Sequence, residues 1–300
     1  MVFYKIKVMK IKGYALGIIS SVSYGLIPIF ILPVKQAHFS LDITLFYRFL
    51  FAALMVGGYL LYSKESFAIN KREALILICL GICYALSSEF LFLGYDFLTP
   101  GIASTALFIY PVIVALIMFF IYKEKLQKLS VLSLILAFAG VIVLCLKGTG
   151  LEINFAGLGI VMLSSLFYAL YMIIVNKSNM KVSGFKLSFY SMIFTSIFFM
   201  IKAFIGNNFF LIPDISTFFN LAVFAFFTTV ISSVCLVFTI KYIGSTPAAI
   251  LGAFEPVVAV MISVLLFHEQ FTHNLLIGII LIIIAVIMNV ISDSRKPKEI

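Results

Sequence analysis

The sequence has no tryptophan, and its 300 residues include only three histidines, four cysteines and twelve acidic residues. Charged residues of both signs make up 11%, where soluble domains carry about 25%. That scarcity excludes a water-soluble fold, which would need a polar surface however large its core. Cys79, Cys83, Cys145 and Cys235 all fall in apolar stretches, without zinc spacing or a disulfide framework, and read as small apolar packing residues. No G-x-x-x-x-G-K-[ST] loop is present, which excludes a P-loop ATPase. There is no G-x-S-x-G, and the deep apolar segments hold no histidine, so a nucleophile–base pair is missing. His268, Glu269 and His273 fail the H-E-x-x-H metal spacing, because their histidines lie five apart and at a loop. Neither catalytic residues nor a metal or cofactor is expected. The 33 phenylalanines point to no function of their own.

What is abundant is apolar length. Hydrophobic residues make up 63% and mean hydropathy is +1.21, so the surrounding solvent is lipid. A spanning helix needs about 20 apolar residues. Ten such segments are predicted: Gly13–Val34, Thr44–Tyr62, Ala74–Tyr95, Gly101–Tyr122, Leu129–Leu146, Phe155–Asn176, Phe185–Ile205, Phe218–Tyr242, Thr246–Phe267 and Asn274–Ser292. Alternating ten-residue barrel strands are not seen. The first segment is too long, and has too few small residues after it, for a cleaved signal peptide. The net charge of +9 is not a nucleic-acid footprint. Seventeen of the 21 basic residues fall at the N-terminus, the C-terminus and alternate loops, and the other loops hold only Lys35, Lys147 and Lys202. This positive-inside bias predicts both termini in the cytoplasm of a cell with the protein in its inner (plasma) membrane.

The chain also repeats itself. G-Y-A-L-G-I-I-S-S-V-S-Y-G-L from Gly13 matches G-L-G-I-V-M-L-S-S-L-F-Y-A-L from Gly157. A-S-T-A-L-F-I-Y-P-V-I-V-A from Ala103 matches A-A-I-L-G-A-F-E-P-V-V-A-V from Ala248, pairing Pro111 with Pro256 and Tyr110 with Glu255. The offset stays near half the chain, which predicts two five-helix units, residues 1–150 and 151–300. Five is odd, so the second unit enters the membrane from the other side. The expected fold is an all-α integral membrane protein of ten transmembrane helices in two inverted repeats, an architecture many secondary transporters use around a midplane site.

Three charges break the lipid rule: Arg48, Glu89 and Glu255. Each costs about 2.5–3.5 kcal/mol even on mild scales. Arg48 and Glu89 sit at equal depth on adjacent helices, about 9 Å below the outer surface at 1.5 Å per residue. That spacing predicts an ion pair, either a structural pin or a gate. Glu255 lies near the midplane and is followed by proline, like its repeat partner Tyr110. Proline removes a backbone donor and loosens the turn before it, so Pro28, Pro111 and Pro256 are candidate hinges. Ser21 and Tyr24 in the first helix, with Ser165 and Tyr168 in the sixth, place hydroxyls and aromatic faces at the midplane. Tyr24, Tyr110, Tyr168, Glu255, Ser21 and Ser165 are therefore candidate substrate-binding residues, although serine and tyrosine also bond helix to helix in membranes. Glu124 and Glu269, at helix ends, read as structural.

R-F-L-F-A-A-L from Arg48, the run from Ala103 to K-E-K-L, the run from Ala248 to H-E-Q-F, and G-I-I-L-I-I-I-A-V-I from Gly278 together resemble the EamA-type members of the drug/metabolite transporter superfamily. The resemblance implies ten helices, a central cavity and alternating access for a small metabolite, often an amino acid or related amphipathic compound. Export is the favoured direction, with coupling to protons through Glu255 a further expectation. An intramembrane enzyme acting on lipid or peptide, and a non-transporting scaffold, are the competing readings. The first lacks its chemistry, and the second leaves three costly charges unused. Neither the substrate nor the oligomeric state follows from the sequence.

Overall fold

The computed structural model describes residues 2–27, 29–30, 40–98, 103, 106–124, 126–145, 154–206, 211–212, 214–266 and 273–294. Among these there are helices and no strands. The elements are α1 (Val2–Gly25), α2 (Leu41–Tyr62), α3 (Lys71–Gly94), α4 (Tyr110–Phe120), α5 (Lys128–Cys145), α6 (Phe155–Lys177) and α7 (Gly184–Ile205), then α8 (Ile215–Ile243), α9 (Ser245–Leu266) and α10 (His273–Ser294). α2, α3, α6, α7, α8 and α9 are long and apolar enough to cross a membrane, and α4 and the apolar parts of α5 and α10 are shorter. The helix of α1 begins at Val2, well before the predicted Gly13, and runs through Lys5, Lys7, Lys10 and Lys12.

Polar caps set several helix starts. Asn70 accepts from the Glu73 N–H while the Glu73 carboxylate accepts from the Asn70 N–H, a capping box that opens α3. Asn154, Ser183 and Asp214 each accept a backbone N–H at the start of α6, α7 and α8. Between α8 and α9 the chain turns on Gly244 alone, with φ +86°, a backbone conformation in which a Cβ is strained.

Three helices are irregular inside. α8 widens into a π-helix at Phe226–Ile231. α9 breaks at Gly252–Ala253, where N–H groups bond three residues back rather than four. The fourth segment was expected to be one continuous helix. Its unbroken part starts only at Tyr110, after a turn at Phe108–Ile109. The reason is the same in both places: Pro111 and Pro256 carry no N–H, so the carbonyls of Leu107 and Gly252 lose their helical donors.

The most extensive helix packings all join the first five helices to the last five: α1 on α8, α3 on α6, α2 on α7, and α5 on α10. Exchanging the two sets maps this pattern onto itself, α1–α8 onto α6–α3 and α1–α9 onto α6–α4. Hydrogen bonds repeat the exchange. Ser20 Oγ donates to the Ser232 carbonyl at 2.8 Å, and Ser164 Oγ donates to the Ser87 carbonyl at 2.6 Å. Small glycines allow the close approaches. A Cβ on Gly81 of α3 would sit 2.4 Å from Phe194 of α7, and one on Gly17 of α1 would sit 2.3 Å from Leu251 of α9.

Candidate functional site

The broken stretches of α4 and α9 lie against each other, and α1 and α6 flank them. Tyr24 (α1), Tyr110 (α4), Tyr168 (α6) and Glu255 (α9) are all buried there. Tyr168 stands between the other two rings, stacked on Tyr24 at 6.1 Å and edge-on to Tyr110 at 4.7 Å. The Tyr110 hydroxyl donates to the Glu255 carboxyl group, so the two repeat-equivalent residues meet at the centre of the molecule. Gly252 is required one turn away, because the Tyr110 hydroxyl occupies the position its Cβ would take, 1.4 Å from the built atom. Gly25 plays the complementary part on α1, its Cα facing the Glu255 carbonyl and the Val258 side chain.

Beside this cluster is a cavity of about 20 Å³, large enough for one water molecule. Tyr24, Gly25, Ile27, Leu91, Tyr95, Leu107, Glu255 and Ala259 line it. Among the described lining residues Glu255 is the one carboxylic acid; the rest offer aromatic faces, aliphatic surface and backbone. Glu255 is buried there, with 8% of its surface exposed. Such a wall suits a molecule with one cationic group and an apolar body.

The other expected site residues are placed differently. Ser165 does not face the cavity. Its hydroxyl lies 3.0 Å from the Leu107 carbonyl, the acceptor that Pro111 leaves without a donor, and 3.3 Å from that of Ala106. Ser21 Oγ donates within its own helix to the Gly17 carbonyl at 2.9 Å. Both hydroxyls hydrogen-bond main-chain carbonyls in this conformation. Pro111 and Pro256 sit at the two breaks; Pro28 and Glu269 lie outside the described residues.

The expected Arg48–Glu89 ion pair does not form. Glu89 pairs with Lys202 of α7 at 2.5 Å, and Lys202 also reaches Asp42 at 3.2 Å, tying the ends of α2, α3 and α7 together. The sequence put both residues at one depth, but depth leaves direction around the helix axis open, and Lys202 lies inside α7 rather than in the loop expected. Arg48 points instead at the π-helical turn of α8. Its Nε donates to Thr229 Oγ1 at 2.7 Å and its Nη2 to the Thr228 carbonyl at 3.3 Å. Glu124, at the far end of α4, pairs with Lys177 of α6 at 2.6 Å.

Several participants went unread in the sequence. Tyr95 lines the cavity, and the Tyr84 hydroxyl lies 2.6 Å from Ser233 Oγ, while its ring packs on Phe49 and Tyr171. The signal available for them was polarity at helix positions that lipid disfavours, the same that picked out Tyr24. The π-helical turn had a fainter one, the Thr228–Thr229 pair within F-F-T-T-V.

Comparison with known proteins is consistent with this geometry. The EamA-like transporter family model matches twice, over residues 11–146 and 155–291. The Bacillus subtilis protein named uncharacterized transporter YvbV is 26% identical over 241 residues, 79% of this chain and 76% of its own. The uncharacterized transporter YetK of the same organism is 25% identical over 261 residues, 83% of this chain and 78% of its own. A chain solved by crystallography shares the fold, with a TM-score of 0.78 at 13% identity over 95% of this chain and 99% of that one. A multi-pass apolar helical fold and two family matches that together span nearly the whole sequence place this chain in the EamA-like transporter family.

Proposed function

We propose that the protein is a secondary carrier that exports a small metabolite, an amino acid or related amphipathic compound, across the inner membrane. In this reading ten helices span the bilayer as two inverted repeats, residues 1–150 and 151–300, with both termini cytoplasmic. Tyr24, Tyr110, Tyr168 and Glu255 form the substrate chamber, Glu255 receiving a cationic group and the tyrosine rings the apolar body. The observation that carries it is Glu255 itself, a carboxyl group buried at the contact of the two broken helices, bonded to its own repeat partner and open to a cavity. A carboxyl group in a bundle is too costly to keep as mere packing.

The interleaved packing bears on the motion. Because α1, α2, α3 and α5 each pack chiefly on helices of the other repeat, the repeats are not two separable bodies. Access to alternate sides then comes from bending of α4 and α9 at their proline-marked breaks.

The test is counterflow of radiolabelled amino acids and amphipathic amines in proteoliposomes holding the full chain, with and without a proton gradient. Wild type is expected to carry at least one solute, and Glu255→Gln to lose most of that flux. A Glu255→Gln protein with unchanged rate and unchanged response to the gradient removes Glu255 from the mechanism.

A further inference from the structure

Arg48 is fully buried, yet both of its hydrogen bonds go to neutral groups, the Thr229 hydroxyl and the Thr228 carbonyl. Among the described residues no carboxylate lies within ion-pair distance, since Lys202 engages both Asp42 and Glu89. Among the described residues the Nη1 nitrogen has no hydrogen-bond partner. Four rings enclose the guanidinium, those of Phe224, Phe49, Phe92 and Tyr24, with centroids 4.7, 5.5, 5.7 and 6.0 Å away. Ring faces offset part of the charge but accept no hydrogen bond from Nη1 in this arrangement. A bare staple between α2 and α8 would be served as well by an apolar side chain of similar volume, without the desolvation cost of a charge. The arrangement is a cation held ready, with donors open and its own counter-ion missing.

Tyr24 links this place to the chamber. Its ring is one wall of the Arg48 cage, lines the cavity together with Glu255, and stacks on Tyr168. We infer that Arg48 is an anion-recognising residue of the chamber: with Tyr24 turned aside, Nη1 binds a carboxylate oxygen of the transported molecule while Glu255 holds its ammonium group. The carried molecule is then a zwitterion, selected by a guanidinium and a carboxyl group that both neighbour the Tyr24 ring. This rests on the carrier reading and adds to it the residue that distinguishes an amino acid from an amine. The planar fork of arginine suits a carboxylate better than a lysine ammonium would.

The test uses matched probes in two series: L-leucine, 3-methylbutylamine and 4-methylpentanoate, then L-phenylalanine, 2-phenylethylamine and 3-phenylpropanoate. Within each series the second compound lacks the carboxylate and the third lacks the ammonium group. Each is measured as an inhibitor of counterflow and as a labelled solute, in liposomes holding the full-length wild type, Arg48→Met or Arg48→Lys. Wild type is expected to prefer the zwitterion over the amine by about 10- to 100-fold, the effect of one charge-assisted hydrogen bond. Arg48→Met, with an unchanged melting midpoint, is expected to carry zwitterion and amine alike while still rejecting the acid, because Glu255 remains. Arg48→Lys keeps the charge without the fork and is expected to fall between them; it carries the test if Arg48→Met fails to assemble. A wild type indifferent to the carboxylate overturns the inference. So does an Arg48→Met or Arg48→Lys protein with undiminished preference, or a carrier of other solutes that takes no zwitterion from either series. Absence of flux for every solute tried would instead sink the carrier reading.

Discussion

Replacing Gly252 with alanine tests the centre of the site most directly. Gly252 has ordinary right-handed helical angles, φ −56° and ψ −16°, so backbone freedom is not why glycine is there. On conformational grounds alone alanine would stabilise by about 0.5–1 kcal/mol. The opposing effect is steric. The new Cβ would stand 1.4 Å from the Tyr110 hydroxyl oxygen and 2.7 Å from its Cζ, with the Ala249 carbonyl 3.0 Å away on another side. Tyr110 must leave, and because its ring packs edge-on against Tyr168 and Phe108, it cannot leave freely. Overpacking of this kind costs about 1–3 kcal/mol, and a buried carboxyl group losing its hydroxyl donor about 1–3 kcal/mol more. The steric side wins, and the expected net loss is about 1–5 kcal/mol. The assay is thermal unfolding in detergent followed by a thiol-reactive dye on buried Cys83, with Cys79, Cys145 and Cys235 replaced by alanine. Tyr110→Phe removes the 1.4 Å conflict but leaves the ring carbon, so in that background Gly252→Ala is expected to cost about 1–2 kcal/mol less. Equal or greater stability of Gly252→Ala, or the same cost in both backgrounds, would refute the assigned contact.

Ser20→Ala and Ser164→Ala each delete one hydroxyl bond to a carbonyl of the neighbouring helix, and each is expected to lower stability by about 0.5–1.5 kcal/mol. The two losses should agree; a several-fold difference in the same unfolding assay would argue against the two-fold relation of the packing. Lys202→Met leaves Asp42 and Glu89 facing each other mostly buried and is expected to cost about 1–3 kcal/mol, recovered in part by adding Glu89→Gln. Lys177→Met breaks a pair with both partners only half-buried, and its expected cost is about 0–1 kcal/mol in the same measurement.

Much of this protein is legible along the chain because lipid acts on each residue locally. Water is absent from the bilayer core, so every spanning segment must be helical and apolar, and a residue that breaks the rule is visible by itself. Glu255 and Tyr110 could be recognised as equivalents from their offset, and Pro111 and Pro256 as the places where the fourth and ninth helices break, because a missing N–H is a property of one residue. What the chain could not settle is direction around each helix axis. Spacing gave Arg48 and Glu89 the same depth, but only the packing of α7 against α2 and α3 sent Glu89 to Lys202 and left Arg48 to a π-helical turn nearly two hundred residues away. The serines show the same limit: their spacing predicted midplane depth for Ser21 and Ser165, and the tertiary structure turned them toward carbonyls, one of them orphaned by a proline. Sequence determined which groups the bilayer would not tolerate alone, since that cost belongs to each group and its depth. Tertiary structure decided which neighbour relieves the cost, since that depends on two helices from opposite ends of the chain meeting face to face.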